Sequence, residues 1–232
     1  DADLAHFAGC DSHAGRPGDG ISQGCSLEFR LGGVSWEAFM ESDLKRNDPK
    51  WIGLIRQALQ DGDLPYEIDN HLNWMTHVPG RPEHAGKDEV SICFAHSRFA
   101  RPLDARDLTR MYLEGREQAD ILWRFIRKRV PGFEGCWLID TAPLLGVRES
   151  RRIVGEYTMT GEDLARWRHF DDVIAISGHG YDIHGPDGPG NIKWIEMKID
   201  GLTRYVISTP AGVGASLPPP TGMESLCDCE GR

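Results

Sequence analysis

The sequence predicts an α+β domain with an antiparallel or mixed sheet and packed helices. Three observations carry this. One long segment, Asp104–Val130, repeats its apolar residues at helical spacing, strand-like runs follow helices without a regular βαβ alternation, and no glycine-rich phosphate loop opens a helix.

Taken in order, Ser26–Val34 reads as a strand ending in Gly32-Gly33. Asn47–Gly62 reads as a helix with Asp48 as N-cap, Pro49 at its first position and Gly62 as its stop. Its apolar stripe is Trp51, Ile52, Ile55, Ala58 and Leu59. His71–His77 and Val90–His96 alternate like strands around a Pro/Gly turn at Val78–Lys87. The long helix, Asp104–Val130, aligns Leu108, Met111, Tyr112, Gly115, Ala119, Leu122 and Ile126 on one face. Asp104 and Asp107 open it and Arg124, Arg127, Lys128 and Arg129 close it, as the helix dipole favours, before Pro131-Gly132. Strands follow at Cys136–Thr141, Ile153–Met159, Asp172–Ser177, Ile192–Lys198 and Arg204–Ile207, the first three expected in one sheet. A short helix at Gly161–His169 opens with a Thr160/Asp163 capping box. Thr209–Gly222, with four Pro and three Gly, reads as loop. Six tryptophans, Trp51, Trp74, Trp123, Trp137, Trp167 and Trp194, fall in these elements and are expected to fill the core.

Composition narrows the function classes. The formal charge is 26 − 36 = −10 with basic residues scattered, which argues against a nucleic-acid or anionic-membrane binder and for small-molecule or protein partners. With 232 residues, 40% of them hydrophobic, the chain is long enough to bury a core without staples. The longest apolar runs, such as Cys136–Ile139 and Val173–Ile176, fall far short of the roughly 18 residues a membrane span needs. Six cysteines are spread too irregularly for a disulfide framework, which favours a reducing, cytoplasmic compartment. No repeat of solenoid length occurs, and the start at Asp1 without a targeting stretch reads as a piece of a longer chain.

Two segments can carry chemistry. Arg148, Arg151 and Arg152 lie within five residues, and planar guanidinium forks suit carboxylate or phosphate. Composition by itself favours a solvated strand edge with local Arg–Glu pairs. If 148–152 is extended, Arg148 and Arg152 share a face and Arg151 shares the other with Glu149, so Arg151 is the expected ion-pair partner. The loop Ser177–Gly190 places His179, Asp182, His184 and Asp187 within nine residues. It lacks an i, i+4 histidine pair and any cysteine ligand, so a metal site is not expected and a proton-transfer or substrate role for His184 ranks above it. Gly178-His179-Gly180 lacks the third glycine of a dinucleotide fingerprint, and Cys227-x-Cys229 fits neither a redox nor a zinc spacing.

Asp140-Thr-Ala-Pro143, Gly146-Val-Arg-Glu-Ser-Arg-Arg-Ile-Val-Gly-Glu-Tyr157 and Asp182-Ile-His184, in that order, resemble a large bacterial family of FAD-dependent oxidoreductases with the glutathione-reductase-like fold. The resemblance extends through Gly115-Arg-Glu-Gln-Ala119, Val130-Pro-Gly-Phe133, Asp19-Gly20 and Gln23. Asp1–Ala5 resembles the point where that family's FAD-binding domain hands over to its substrate domain, and Gly222–Leu226 with Gly231-Arg232 resembles its return. The resemblance therefore implies an inserted substrate domain over 1–207, a return segment over 208–232, and a partner FAD-binding domain of the same chain outside these residues. It implies FAD as the cofactor of the whole protein, held outside this chain, and a small anionic or hydroxylated substrate. The expected site has His184, Arg148 and Arg152 in catalytic positions, converging on one face, and Arg151, Glu149, Tyr157 and Gln23 on the substrate. Asp1, Asp3, Gly231 and Arg232 are expected together on the cofactor side. The chain departs from the family at Cys25, where an apolar residue is usual, and over its last 25 residues. A non-catalytic binding module, and a metal-dependent hydrolase built on the 177–190 loop, are the alternatives.

Overall fold

The structure is a computed structural model that describes residues 2–44, 49–69, 74–78, 88–166, 168–171, 173, 175–177, 181–186, 192–195, 198–199, 202–203 and 205–207. Its elements in chain order are α1 (Asp3–Phe7), β1 (Ser12–Ala14), β2 (Cys25–Val34), α2 (Trp36–Glu41), α3 (Lys50–Gln60), β3 (Trp74–Val78), β4 (Asp88–Ser97), α4 (Ala105–Arg129), β5 (Trp137–Thr141) and β6 (Arg151–Ile153). After them come α5 (Gly161–Ala165), β7 (Ala175–Ser177), β8 (Tyr181–His184), β9 (Ile192–Ile195), β10 (Lys198–Ile199), β11 (Leu202–Thr203) and β12 (Tyr205–Ile207). The class is α+β with antiparallel pairing, as expected. The chain divides into two units, one of Gly15–Ser150 with His184–Asn191, the other of Asp1–Ala14, Arg151–Ile183 and Ile192–Arg232.

The first unit is built on a sheet of order β3-β4-β2-β5. Phe29, Leu31, Val34, Val90, Ile92 and Phe94 from its strands are buried against Phe39 of α2, Trp51, Ile55 and Ala58 of α3, and Ala119, Leu122, Phe125 and Ile126 of α4. Each of the larger aliphatic and phenylalanine side chains among them contributes about 1.5–3 kcal/mol by leaving water. Trp51 meets Phe94 edge-on, with ring centroids 6.1 Å apart. The long helix is unbroken, and Asp104 caps it by accepting the Arg106 and Asp107 N–H groups at 2.8 and 3.1 Å. Its other end is clamped to the turn after α3. Lys128 Nζ reaches Asp63 at 2.5 Å, while Arg129 binds Asp63 and also Asp61, the latter at 2.6 Å. That turn follows the expected Gly62 stop: at φ +78° the glycine lets Asp63 N–H reach Ala58 O at 2.8 Å, closing the helix. Pro49 precedes the first residue of α3 rather than occupying it, and Asp48 lies outside the described residues.

Two glycine features set close approaches. A Cβ on Gly115 of α4 would lie 2.7 Å from Leu27 Cβ, so only glycine lets the helix rest directly on β2. Trp137, expected in the core, is instead 43% exposed. Its ring lies over Gly32 and Gly33, where a Cβ on Gly33 would meet it at 2.1 Å. Glycines leave bare backbone on the strand, and the neighbouring strand's indole covers it.

The second unit holds the remaining short elements. β1 pairs with β6 (Ser12↔Ile153, Ala14↔Arg151) and β7 pairs with β12 (Ala175↔Ile207), both antiparallel. The expectation that Cys136–Thr141, Ile153–Met159 and Asp172–Ser177 share a sheet fails: β5, β6 and β7 lie in three different sheets. The second of these strands is also displaced, ending at Ile153 where it was expected to begin. The reason is register. Arg151 and Arg152 find β1 as their ladder partner, whereas Gly155 and the bends beyond it break the extended run. The capping box forms as expected, with Thr160 N–H donating to Asp163 Oδ2 at 2.8 Å and Asp163 N–H to Thr160 Oγ1 at 3.2 Å. The α5 helix it opens stops at Ala165.

Candidate functional site

In the first unit the structure gathers Gln23, Ser26, Arg148 and Glu149 at the start of β2. The local cause is a backbone bridge: Gly146 N–H donates to Ser26 O at 2.7 Å and Ser26 N–H to Gly146 O at 3.1 Å, laying the 146–149 segment along the strand. Gly146 permits this closeness, since a Cβ there would lie 3.1 Å from Ser26 O. Arg148 then donates from Nη2 to Ser26 Oγ at 3.0 Å, and Glu149 Oε1 accepts the Gln23 N–H at 3.0 Å. Arg148 is exposed, so the rest of its fork faces solvent, while Glu149 and Gln23 are half-buried. Ser26 was not singled out in the sequence. Its contact with Arg148 spans 122 residues, and no local pattern announces it.

Cys25, the departure from the family pattern, is fully buried beside this group in a small cluster with Leu27, Ala100, Met111 and Leu145. Burial pushes its thiol up to about 11, against a weaker opposing pull from the Arg148 backbone N–H. It therefore serves as an apolar filler, not as a nucleophile.

In the second unit Arg151 of β6 is ion-paired with Asp3 of α1 and lies over the Phe7 ring at 5.5 Å. Arg152, the next residue on the strand, is exposed opposite His13. Tyr157 donates to Asp163 Oδ2 at 2.5 Å and accepts from Arg168 at 2.7 Å, with Arg168 stacked 4.8 Å above its ring. Hydrogen bonds from Thr160 and Tyr157 hold the Asp163 carboxyl well below the usual carboxylate range, and the same carboxylate raises the Tyr157 phenol. Arg148 and Arg152 thus belong to different units. His184 ends β8, and its side chain, like Asp1, His179, Asp187, Gly231 and Arg232, lies outside the described residues. Among the described residues no group of three or more His, Cys, Asp or Glu is placed to hold a metal. No helix among them is long and apolar enough to cross a membrane.

A family model described as FAD dependent oxidoreductase matches residues 1–210. No curated protein and no solved structure matches the chain. The helix starts of the first unit do not fit the pyrophosphate of that cofactor, which calls for free N–H groups at a helix start behind a glycine turn. At α4 the first N–H groups are taken by the Asp104 carboxylate, with Asp107 adding a second negative charge. The Ser35 hydroxyl occupies the start of the six-residue α2, and α3 begins at Lys50 after Pro49, with no glycine in the four residues before that proline.

Proposed function

Because the chain belongs to the FAD-dependent oxidoreductase family, we propose that it contributes the substrate side of such an enzyme, orienting a small anionic or hydroxylated substrate for a flavin held by other segments of the same protein. The observation that carries this reading is Arg148. Its guanidinium is steadied by Ser26 on one nitrogen and left open on the rest, within the arginine-rich signature that resembles the family. A fork anchored at one corner is pre-aimed, so it loses little freedom when a carboxylate docks on it. Ser26 fixes the aim, and Glu149 ties Gln23 to the same segment. His184 stays in this proposal as a proton donor or acceptor and Arg152 as an anion contact within its own unit, both on the strength of the resemblance alone.

The test is kinetic. In the full flavoprotein, Arg148→Gln should lower kcat/KM for an anionic substrate by about 10- to 100-fold, the worth of one charge-assisted hydrogen bond of about 1.5–3 kcal/mol, with bound flavin unchanged. Unchanged kcat/KM, or loss of flavin in parallel with activity, defeats the proposal and favours a binding module without catalysis. The chain by itself, mixed with FAD and gel-filtered, should emerge colourless.

A further inference from the structure

One buried constellation lies outside the site above. Within the first unit, His96 Nδ1 sits 2.6 Å from Asp69 Oδ2, and its other ring nitrogen, Nε2, sits 3.9 Å from Cys93 Sγ. All three are nearly closed off from solvent, Asp69 at 3%, His96 at 6% and Cys93 at 9%.

The strand itself explains why these residues meet. Cys93 and His96 are three apart on β4, and in a regular strand that spacing sends them to opposite faces. The register shows otherwise. Phe29 pairs with Ile92 and Leu27 with Ala95, so two steps along β2 match three along β4, and the extra residue is a β-bulge. Ile92 and Ala95, both at 0% exposure, therefore share the core face, and Cys93 and His96 share the other. Bulges re-aim side chains in this way, often beside active sites. Asp69 is brought in by the segment that precedes β3, fastened where Arg98 Nη2 donates to Ile68 O at 2.6 Å, while Gln118 of α4 donates to His96 O at 3.1 Å.

We infer that Cys93 is a nucleophile primed by the His96–Asp69 pair and open only to very small electrophiles, and that hydrogen peroxide is its reactant. The chain carboxylate–imidazole–thiol is the arrangement that activates a weak nucleophile: the carboxylate fixes the ring with Nδ1–H toward it, leaving Nε2 to take the thiol proton. Size selects the reactant, because a cysteine only 9% exposed admits a two-oxygen molecule and excludes a tripeptide or protein thiol. In the step, Sγ attacks one peroxide oxygen, an S–O bond forms and the O–O bond breaks. The thiol proton passes through His96 to the departing hydroxide, which leaves as water. Sulfur is oxidised to the sulfenic acid and peroxide is reduced.

Burial pulls the His96 pKa down, but its hydrogen-bond contacts with Asp69 and Cys93 outweigh burial and the net shift is upward, so the ring is a stronger base than a free one. Among the described residues, the charged groups near the pair include Arg98 just after β4, with Glu67 and, from α4, Glu114 acting on it. A core histidine held by a carboxylate is the bland alternative. It accounts for neither the bulge nor a cysteine beside Nε2. The inference stands apart from the substrate-side reading, for it uses none of the same residues.

Cys10 supplies the internal control, being exposed where Cys93 is not. The full protein is treated with hydrogen peroxide at pH 7, the sulfenic acid is trapped with dimedone, and labelled peptides are quantified by mass. Access alone ranks Cys10 first, whereas the primed thiol ranks Cys93 first, because a positioned base supplies about a hundredfold or more. His96→Gln should slow Cys93 by about a hundredfold and leave Cys10 unchanged. Asp69→Asn should slow Cys93 and also change the His96 ring ¹⁵N shifts, which report which nitrogen carries the proton. Cys10 labelled ahead of Cys93 in the folded wild type overturns the inference without recourse to any variant, and so does undiminished Cys93 labelling in His96→Gln.

Discussion

Replacing Gly115 with Ala and, separately, Gly53 with Ala tests how α4 seats β2, the strand on which Ser26 positions Arg148. The substitution is chemically the same, and each takes a helical glycine to the best helix former, a gain of about 0.8–1 kcal/mol. The surroundings differ. Nothing lies within 4 Å of a Cβ on Gly53, and the residue is exposed, so the propensity gain stands alone. At Gly115 the new Cβ meets Leu27 Cβ at 2.7 Å and Leu27 Cδ2 at 3.1 Å. Carbon contacts settle near about 3.5–4.0 Å, so the deficit is about 1 Å. Leu27 is 1% exposed, and its Cβ is fixed to the backbone of a central strand, so no rotamer relieves the clash. Helix and strand must separate, and overpacking of this kind costs about 1–3 kcal/mol. The upper part of that range less the propensity gain leaves Gly115→Ala destabilised by about 1–2 kcal/mol. Thermal melts followed at 222 nm, where α3 and α4 dominate, should show Tm rising by about 2–4 °C for Gly53→Ala and falling by about 2–8 °C for Gly115→Ala. A Gly115→Ala protein as stable as wild type would refute the reasoning, because it would mean that the helix does not rest on Leu27.

Cys25 and Cys136, both pushed up to about 11 by burial, should resist iodoacetamide at pH 8 in the folded protein, with about one thiol in a thousand ionised, while exposed Cys10 reacts; peptide mapping decides. Trp137→Ala should destabilise by about 1–2 kcal/mol in urea titration although the residue is 43% exposed, because it uncovers the Gly32-Gly33 backbone; a loss near zero would show the indole to be ornamental. For acid, Lys128 and then Arg129 hold the Asp63 carboxyl low, and Arg129 and then Gln57 do so for Asp61. A depressed folded pKa gives stability that is present above the unfolded carboxylate value near about 4 and is lost as pH falls through the folded value, so melts should worsen from pH 5 to pH 2. Asp63→Asn should flatten that decline, and a variant as steep as wild type would place the acid sensitivity elsewhere.

The one-dimensional pattern was enough for whatever depends on neighbours along the chain. The Asp104 cap, the unbroken α4 and its buried stripe through Met111, Gly115, Ala119, Leu122 and Ile126 were legible, because helical hydrogen bonds and caps join residues no more than four apart. So were the Thr160/Asp163 box and the Gly62 stop. The family signature was legible as well, being a string of residues rather than a shape. Tertiary structure decided what depends on pairing between distant segments. Which sheet β6 joins is set by β1, more than 130 residues earlier, and local alternation carries no trace of that partner. The exposure of Trp137 follows from glycines on the adjacent strand, and the anchoring of Arg148 from a serine 122 residues away. The bulge in β4 is the sharpest case. Strand parity read from the sequence sets Cys93 and His96 on opposite faces, and only the register against β2, where one extra residue is absorbed, reverses that parity and brings the two side chains together.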